Sequence, residues 1–281
     1  MNLLESKSHQ IGDFLVTVLN DGEMSVNLTL LSGIDEKAAA KIQTEAGIIN
    51  VEKIDINCYL IQGHGQTILV DSGTGGLNNT GGLLLKNLVQ MNITPNDIDS
   101  ILITHAHPDH IGGLLSNEGK PIYKNAQIYL HALEIEYWQN DQALEQATER
   151  GKRNFSLVRR TLKAYSRNIN VFDKNEPITG IYPISLPGHT PGHTGFKIGR
   201  GENSLLIWAD IVHFPHIQLA DPTISIAFDY DKEQAKITRQ NLLERVVREK
   251  QLIAGMHTKK LGLAYIYASE QQNGYKISYL D

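Results

Sequence analysis

Ten consecutive residues constrain this 281-residue chain more than any others: Thr104, His105, Ala106, His107, Pro108, Asp109, His110, Ile111, Gly112 and Gly113. Three imidazoles and one carboxylate fall within this run, directly after an apolar stretch at 98–103. Histidine is the commonest protein ligand for transition metals, and ordinary core packing has no use for imidazole at that density. The run points to a metal site, and to a catalytic one.

The spacing has a physical reading. His105 and His107 are two apart, so in extended backbone their side chains point the same way. Asp109 continues that alternation and His110 breaks it, which lets one loop offer ligands in two directions. Pro108 restricts His107 to extended conformations, and Gly112 and Gly113 let the backbone turn closely after the ligands. The bland alternative is a polar loop whose histidines satisfy backbone groups.

Further candidate ligands follow other apolar runs. Residues 181–186 lead into Pro187, Gly188, His189, Thr190, Pro191, Gly192 and His193. Residues 205–209 lead into Asp210, and residues 252–256 into His257. A strand followed by a metal-type residue thus occurs four times. In layered α/β proteins sites gather at one end of the sheet, so these four loops are expected to converge.

With these residues in view, the chain resembles the metallo-β-lactamase-fold hydrolase superfamily. Its HxHxDH motif matches His105, His107, Asp109 and His110, and the family's later His, Asp and His match His189, Asp210 and His257 in order. The family's early Asp, in a strand followed by Ser-Gly, matches Asp71, with Ser72 and Gly73 after it. The resemblance extends from about residue 57 to residue 257. It implies an α/β fold of the αββα sandwich type, two mixed sheets flanked by helices. It also implies roles: His105, His107 and His189 on a first metal, Asp109, His110 and His257 on a second, Asp210 bridging, and Asp71 orienting a ligand histidine. In the family the first histidine of a pair such as His189 and His193 is the ligand, so His193 is set aside. His213 and His216, just after Asp210, either line the pocket or are plain loop residues.

Such ligands suit Zn²⁺, with Mn²⁺, Fe²⁺ or Co²⁺ as alternatives. Two ions about 3.5–4 Å apart can share a water and lower its pKa toward about 7. The expected enzyme is therefore a dinuclear metal-dependent hydrolase using a hydroxide between its metals, with no Ser, Cys or Lys nucleophile. Asp109 is the candidate catalytic residue, taking a proton from the attacking water and returning one to the leaving group.

Composition agrees with this reading. A hydrophobic content of 41% lets the chain bury a large core, and the spread of candidate ligands along it suggests one domain over 1–281. A net charge of −5 argues against a nucleic-acid surface. No stretch reaches the roughly 18 apolar residues of a membrane span. Residues 1–7 lack the apolar core of a signal peptide, and Cys58 is the single cysteine. A cytoplasmic location is expected, with Cys58 a small buried apolar residue.

The local pattern supports an α/β layout. Residues 14–19, 58–61 and 67–70 read as strands, the last two joined at Gly63, His64 and Gly65 by a hairpin turn with His64 solvated. Residues 83–89 read as helix, and Thr94 with Pro95 reads as a helix start. Residues 131–167, including Glu134, Glu136, Arg150, Lys152, Arg153, Arg159 and Arg160, read as helical with a solvated charged face. A lid or a subunit contact is the sharper alternative. Asp231 to Gln234 resembles a capping box opening a helix through Arg248. Within residues 1–50, a loop and short helix at 32–40 are expected, and the resemblance assigns such segments to a pocket mouth or a dimer contact.

Within the superfamily the layout is most similar to the lactonase and organophosphate-hydrolase-like branch, on the complete two-metal set, the segment 187–193, and residues 209–213 followed by Asp221 and Pro222. That implies an ester or lactone substrate, with phosphotriesters in reach and a small molecule as the partner; a homodimer is open. Two alternatives on this fold are a mononuclear iron persulfide dioxygenase and a hydroxyacylglutathione-type thioesterase, the latter wanting a basic pocket that no sequence pattern reveals. A nuclease would normally bring an added nucleic-acid domain.

Overall fold

A computed structural model describes residues 6–259, 261–269 and 274–280. The first five residues of the segment read for a signal peptide lie outside these.

The apolar runs become two stacked mixed sheets. The first has seven strands in the order Ser6–Ile11, Phe14–Ser25, Lys53–Gly63, Gln66–Val70, Ser100–Leu102, Gln127–His131 and Ile169–Phe172. Its first four strands are antiparallel neighbours and the remaining pairings are parallel. The second has six strands, from Tyr275–Tyr279 through Ala264–Ala268, Leu252–Ala254, Leu205–Ile207 and Thr194–Ile198 to Ile181–Ser185. Only its pairing of Leu205–Ile207 with Leu252–Ala254 is parallel.

Strand alternation explains the near-continuous hydrophobicity of the central strands, which are covered on both faces. In Lys53–Gly63, Tyr59 and Ile61 face the other sheet, together with Val16, Val18, Ile68 and Val70, and meet Phe196, Ile198, Leu205 and Ile207 there. Cys58 and Leu60 point the opposite way, into a layer built on Leu88, Trp138, Phe155, Val158 and Leu162. These come from helices Leu84–Gln90, Ala132–Gln139 and Glu149–Ala164. Helix Lys232–Arg248 covers the second sheet, setting Leu242, Leu243 and Val246 against Leu206, Ile253 and Ile266. The layers are helix, sheet, sheet, helix, as the resemblance implied. Each fully buried Leu or Ile contributes about 1.5–3 kcal/mol relative to exposure. Cys58 is fully buried, which pushes its thiol pKa well up.

Most local signals held, and two exceptions concern the backbone. His64 and Gly65, with φ of 50° and 73°, form the two-residue hairpin turn. Asp35 caps helix Glu36–Glu45, and Asp231 caps Lys232–Arg248 by accepting the amide of Gln234. The helix start at Thr94 yields only one 3₁₀ turn, Pro95–Asp97, closed by a reciprocal capping box, because the apolar run after it enters the sheet at Ser100–Leu102. The second exception is the alternation read through residues 105–110. Extended backbone ends at His107, and Pro108–Ile111 is a helical turn with proline at its first position. Among the described residues no helix is long and apolar enough to cross a membrane.

Candidate metal centre

Five loops leave the carboxyl ends of strands at one rim of the sandwich. Asp71 follows Gln66–Val70, His105 follows Ser100–Leu102, His189 follows Ile181–Ser185, Asp210 follows Leu205–Ile207 and His257 follows Leu252–Ala254. Ligand-type atoms of His105, His107 and His189 lie within 4.8 Å of one another, as do those of Asp109, His110, Asp210 and His257. A third set, His189, Asp210 and His213, overlaps both. Every candidate ligand read from the sequence is therefore brought to one place.

The hydrogen bonds fix which ring nitrogens face inward. His189 donates from Nδ1 to Asp229 at 2.9 Å. His105 donates from Nδ1 to the Thr104 hydroxyl at 3.1 Å, and that hydroxyl donates to Asp71 at 2.7 Å. Both Nε2 lone pairs are left aimed at His107 Nδ1, at 2.9 and 3.0 Å. One proton cannot satisfy three converging nitrogens, whereas a cation can. Burial holds His105 and His107 well below the usual histidine pKa, in the neutral state a metal requires.

The second set has the same character. His110 donates from Nδ1 to Asp71 at 2.7 Å, and its buried Nε2 has no hydrogen-bond partner. That Nε2 lies 3.4 Å from Asp109 and 3.3 Å from Asp210. His257 donates from Nδ1 to the Asp55 carbonyl at 2.8 Å, turning Nε2 toward Asp210 at 3.1 Å and Asp109 at 3.5 Å. Asp210 Oδ1 is buried without a partner. Burial works against charge on His110 and His257, yet the facing carboxylates outweigh it and raise both pKa values. For Asp109 and Asp210 burial is likewise outweighed, and the histidines hold both carboxyls below their usual range. A site that draws protons so strongly, with an imidazole nitrogen of His110 and a carboxylate oxygen of Asp210 buried without partners, fits divalent cations by the chemistry of its donors.

Asp71 holds this geometry from behind. Its backbone is left-handed, φ 60°, a costly state for a residue with a side chain. Its carboxylate accepts the amide and hydroxyl of Thr104 besides the ring of His110. Burial nevertheless raises its pKa, against those hydrogen bonds. Gly112 and Gly113 serve close approach between loops rather than a turn: a Cβ on them would come within 2.2 Å of the Thr74 carbonyl and 2.0 Å of the Ser72 carbonyl.

His193 stays out of the ligand sets. It donates from Nδ1 to the Leu186 carbonyl and accepts the Asp210 amide at Nε2. Of the two open histidines, His213 reaches the centre, with Nε2 3.3 Å from Asp210 and its ring stacked on His257. Burial lowers its pKa to about 4. His216 lines only a neighbouring depression of about 360 Å³, which His213 and His257 also border.

Three residues escaped the sequence reading. Glu134, read as part of a solvated face, is fully buried, and this corrects that expectation. It accepts the amides of Ala106 and Gly192 and the Trp138 indole, tying two ligand loops together. Asp229 orients His189, and a lone carboxylate forty residues later carries no spacing signal. Arg150 belongs to the pocket of about 160 Å³ over the centre, with His107, Asp109, Asn154 and Phe228. That pocket shares Asp109, Arg150, Asn154 and Phe228 with a groove of about 750 Å³.

Comparison with known proteins agrees with this fold. Residues 52–257 match the description Metallo-beta-lactamase superfamily. A probable metallo-hydrolase of Methanocaldococcus jannaschii is 38% identical over 73 residues, which span 26% of this chain and 32% of that relative's length. An N-acyl homoserine lactonase of Bacillus thuringiensis is 23% identical over 240 residues, 78% of this chain and 86% of the relative. The solved structure of AbOPH, a hydrolase in the beta lactamase superfamily, superposes with a TM-score of 0.91 at 25% identity, covering 100% of this chain and 99% of the other. AidC, a dizinc quorum-quenching lactonase solved with a product, superposes at 0.90 with 26% identity and the same coverage.

Proposed function

Because this chain belongs to the metallo-beta-lactamase superfamily, we propose that it is a two-metal hydrolase opening an ester or lactone bond of a small molecule. The observation that carries this reading is the pair of donor sets meeting at Asp210, whose Oδ2 lies 3.5 Å from His189 on one side and 3.1 Å from His257 on the other. A mononuclear oxygenase would leave half of these donors without work. The full-length likeness to a dizinc lactonase supports both zinc and the lactone class.

His105, His107 and His189 would hold one ion, Asp109, His110 and His257 the other, with Asp210 between them. When bound, the ions would acidify water and neutralise the anion that develops on the carbonyl oxygen. The chain's own residues do the rest. Asp71, Thr104, Asp229 and the Asp55 carbonyl fix the ligand rings. Asp109, partly exposed to the pocket, would take a proton from the nucleophile and return one to the leaving oxygen. His213, neutral at pH 7, stands over the centre as a hydrogen-bonding group for the substrate.

Metal quantification, followed by assay on lactones, aryl esters, thioesters and phosphotriesters, tests the reading. About two zinc ions per chain with lactone or ester turnover is the expected result. One iron per chain, or two metals with no turnover, would overturn it.

A further inference from the structure

Helix Glu149–Ala164 presents a stripe of arginines to the site. Arg150, Arg153, Leu157 and Arg160 recur at steps of three, four and three, which keeps them on one helical face. All of them line the large groove, and Arg150 lines the metal pocket as well. Arg150 is fixed at the junction, its guanidinium 4.3 Å over the Phe228 ring.

The charges in this stripe are unspent. Among the described residues none of Arg150, Arg153 and Arg160 forms an ion pair, whereas Arg159, round the helix, pairs with Asp141 at 2.8 Å. Apart from Asp109, the carboxylate in the groove wall is Glu23, and Lys53 matches it at 3.3 Å. Three guanidinium groups without ion-pair partners thus border one concavity that opens on the candidate centre. Guanidinium presents a planar fork of donors matched to carboxylate and phosphate oxygens. From Arg150 to Arg160 the helix rises about 15 Å, so the stripe runs outward from the scissile position along the path of a substrate's tail.

We propose that the groove binds the non-reacting end of the substrate through an anionic group. The substrate class is then an ester or lactone bearing a carboxylate or phosphate-type group several bonds from the carbonyl that is cleaved. This inference rests on the hydrolase reading above. It also supplies the basic pocket that no sequence pattern revealed, since the arginines come together only on the folded helix.

The test uses metal-loaded enzyme and 4-nitrophenyl acyl esters ending in a carboxylate or a phosphonate, each beside its methyl-capped neutral counterpart. We expect one charged ester to be favoured in kcat/KM by about tenfold, mostly through KM, the worth of one charge-assisted hydrogen bond. The arm with the larger preference identifies the group. The preference should collapse toward unity in Arg153→Gln/Arg160→Gln and weaken at high salt. It should persist in Arg245→Gln/Arg248→Gln, which removes the same charge from helix Lys232–Arg248. Equal handling of charged and neutral esters overturns the inference while their turnover upholds the hydrolase reading. If neither these esters nor the lactones and thioesters above are turned over, the hydrolase reading fails, and calorimetry of the free carboxylate-ended and phosphonate-ended acids decides anion binding by the groove alone: binding lost in the double groove variant supports it, binding indifferent to that variant overturns it. A single-stranded oligonucleotide that displaces these acids and needs the same arginines would assign the groove to nucleic acid and overturn it too.

Discussion

His193 Nε2 accepts the backbone amide of Asp210 at 3.0 Å. A histidine that is no ligand candidate thereby sets where the shared carboxylate stands. The ring is wholly buried, and burial takes its pKa down to about 3, so it remains a neutral acceptor across the physiological range. His193→Ala orphans the Asp210 amide and the Leu186 carbonyl and leaves a void. The expected loss is roughly 2–4 kcal/mol in urea unfolding, with a fall in bound metal. Unchanged stability and metal content would show that the contact does not position Asp210.

Asp109→Asn separates proton transfer from metal holding. The amide keeps the shape and one oxygen, and His110 and His257 remain, so part of the second metal should stay bound. The turnover rate is expected to fall about 10²–10⁴-fold, the usual contribution of a general base. Metal analysis beside kcat reads both, and an undiminished kcat rules the proton role out.

Glu134→Gln tests whether the buried carboxylate joins the ligand loops. Its two oxygens accept three N–H groups, from Ala106, Trp138 and Gly192. A glutamine must point its NH₂ at one of those donors, leaving a buried N–H unsatisfied at a cost of about 1–3 kcal/mol. A lowered melting temperature with looser metal binding is expected. A variant as stable as wild type would show that the carboxylate does not join the ligand loops.

The acid limb of the stability curve should carry a signature of Asp229. Burial works against its charge, but the hydrogen bond from His189 outweighs it and brings the pKa down to about 2. A carboxylate whose folded pKa is depressed stabilises above its unfolded value, about 3.9, and loses that contribution as pH falls through the folded value. In chelator-treated protein, wild type should therefore exceed Asp229→Asn by a margin that is full above about pH 4 and vanishes toward pH 2. A margin that does not change with pH would remove the carboxylate's charge from the account.

The chain's one-dimensional pattern carried much of this protein. Strand runs ending in His105, His189, Asp210 and His257 were legible because alternation, sheet burial and loop chemistry are each written over a few neighbouring residues. Asp71 was legible only through the family resemblance. The helical turn at Pro108–Ile111 was misread, since a proline is equally at home ending an extended run and opening a helix.

What tertiary structure decided has no local signature. Glu134 and the groove arginines lie within one charged helical stretch, and nothing in sequence says that Glu134 faces two ligand loops while Arg150, Arg153 and Arg160 face the groove. His213 and His216 are three residues apart, yet only His213 meets Asp210. Sequence supplied the candidate donors, and through them the proposed reaction class, because metal chemistry depends on residue type. Orientation, burial and reach were settled only by packing, because they depend on which distant loops arrive at the same rim.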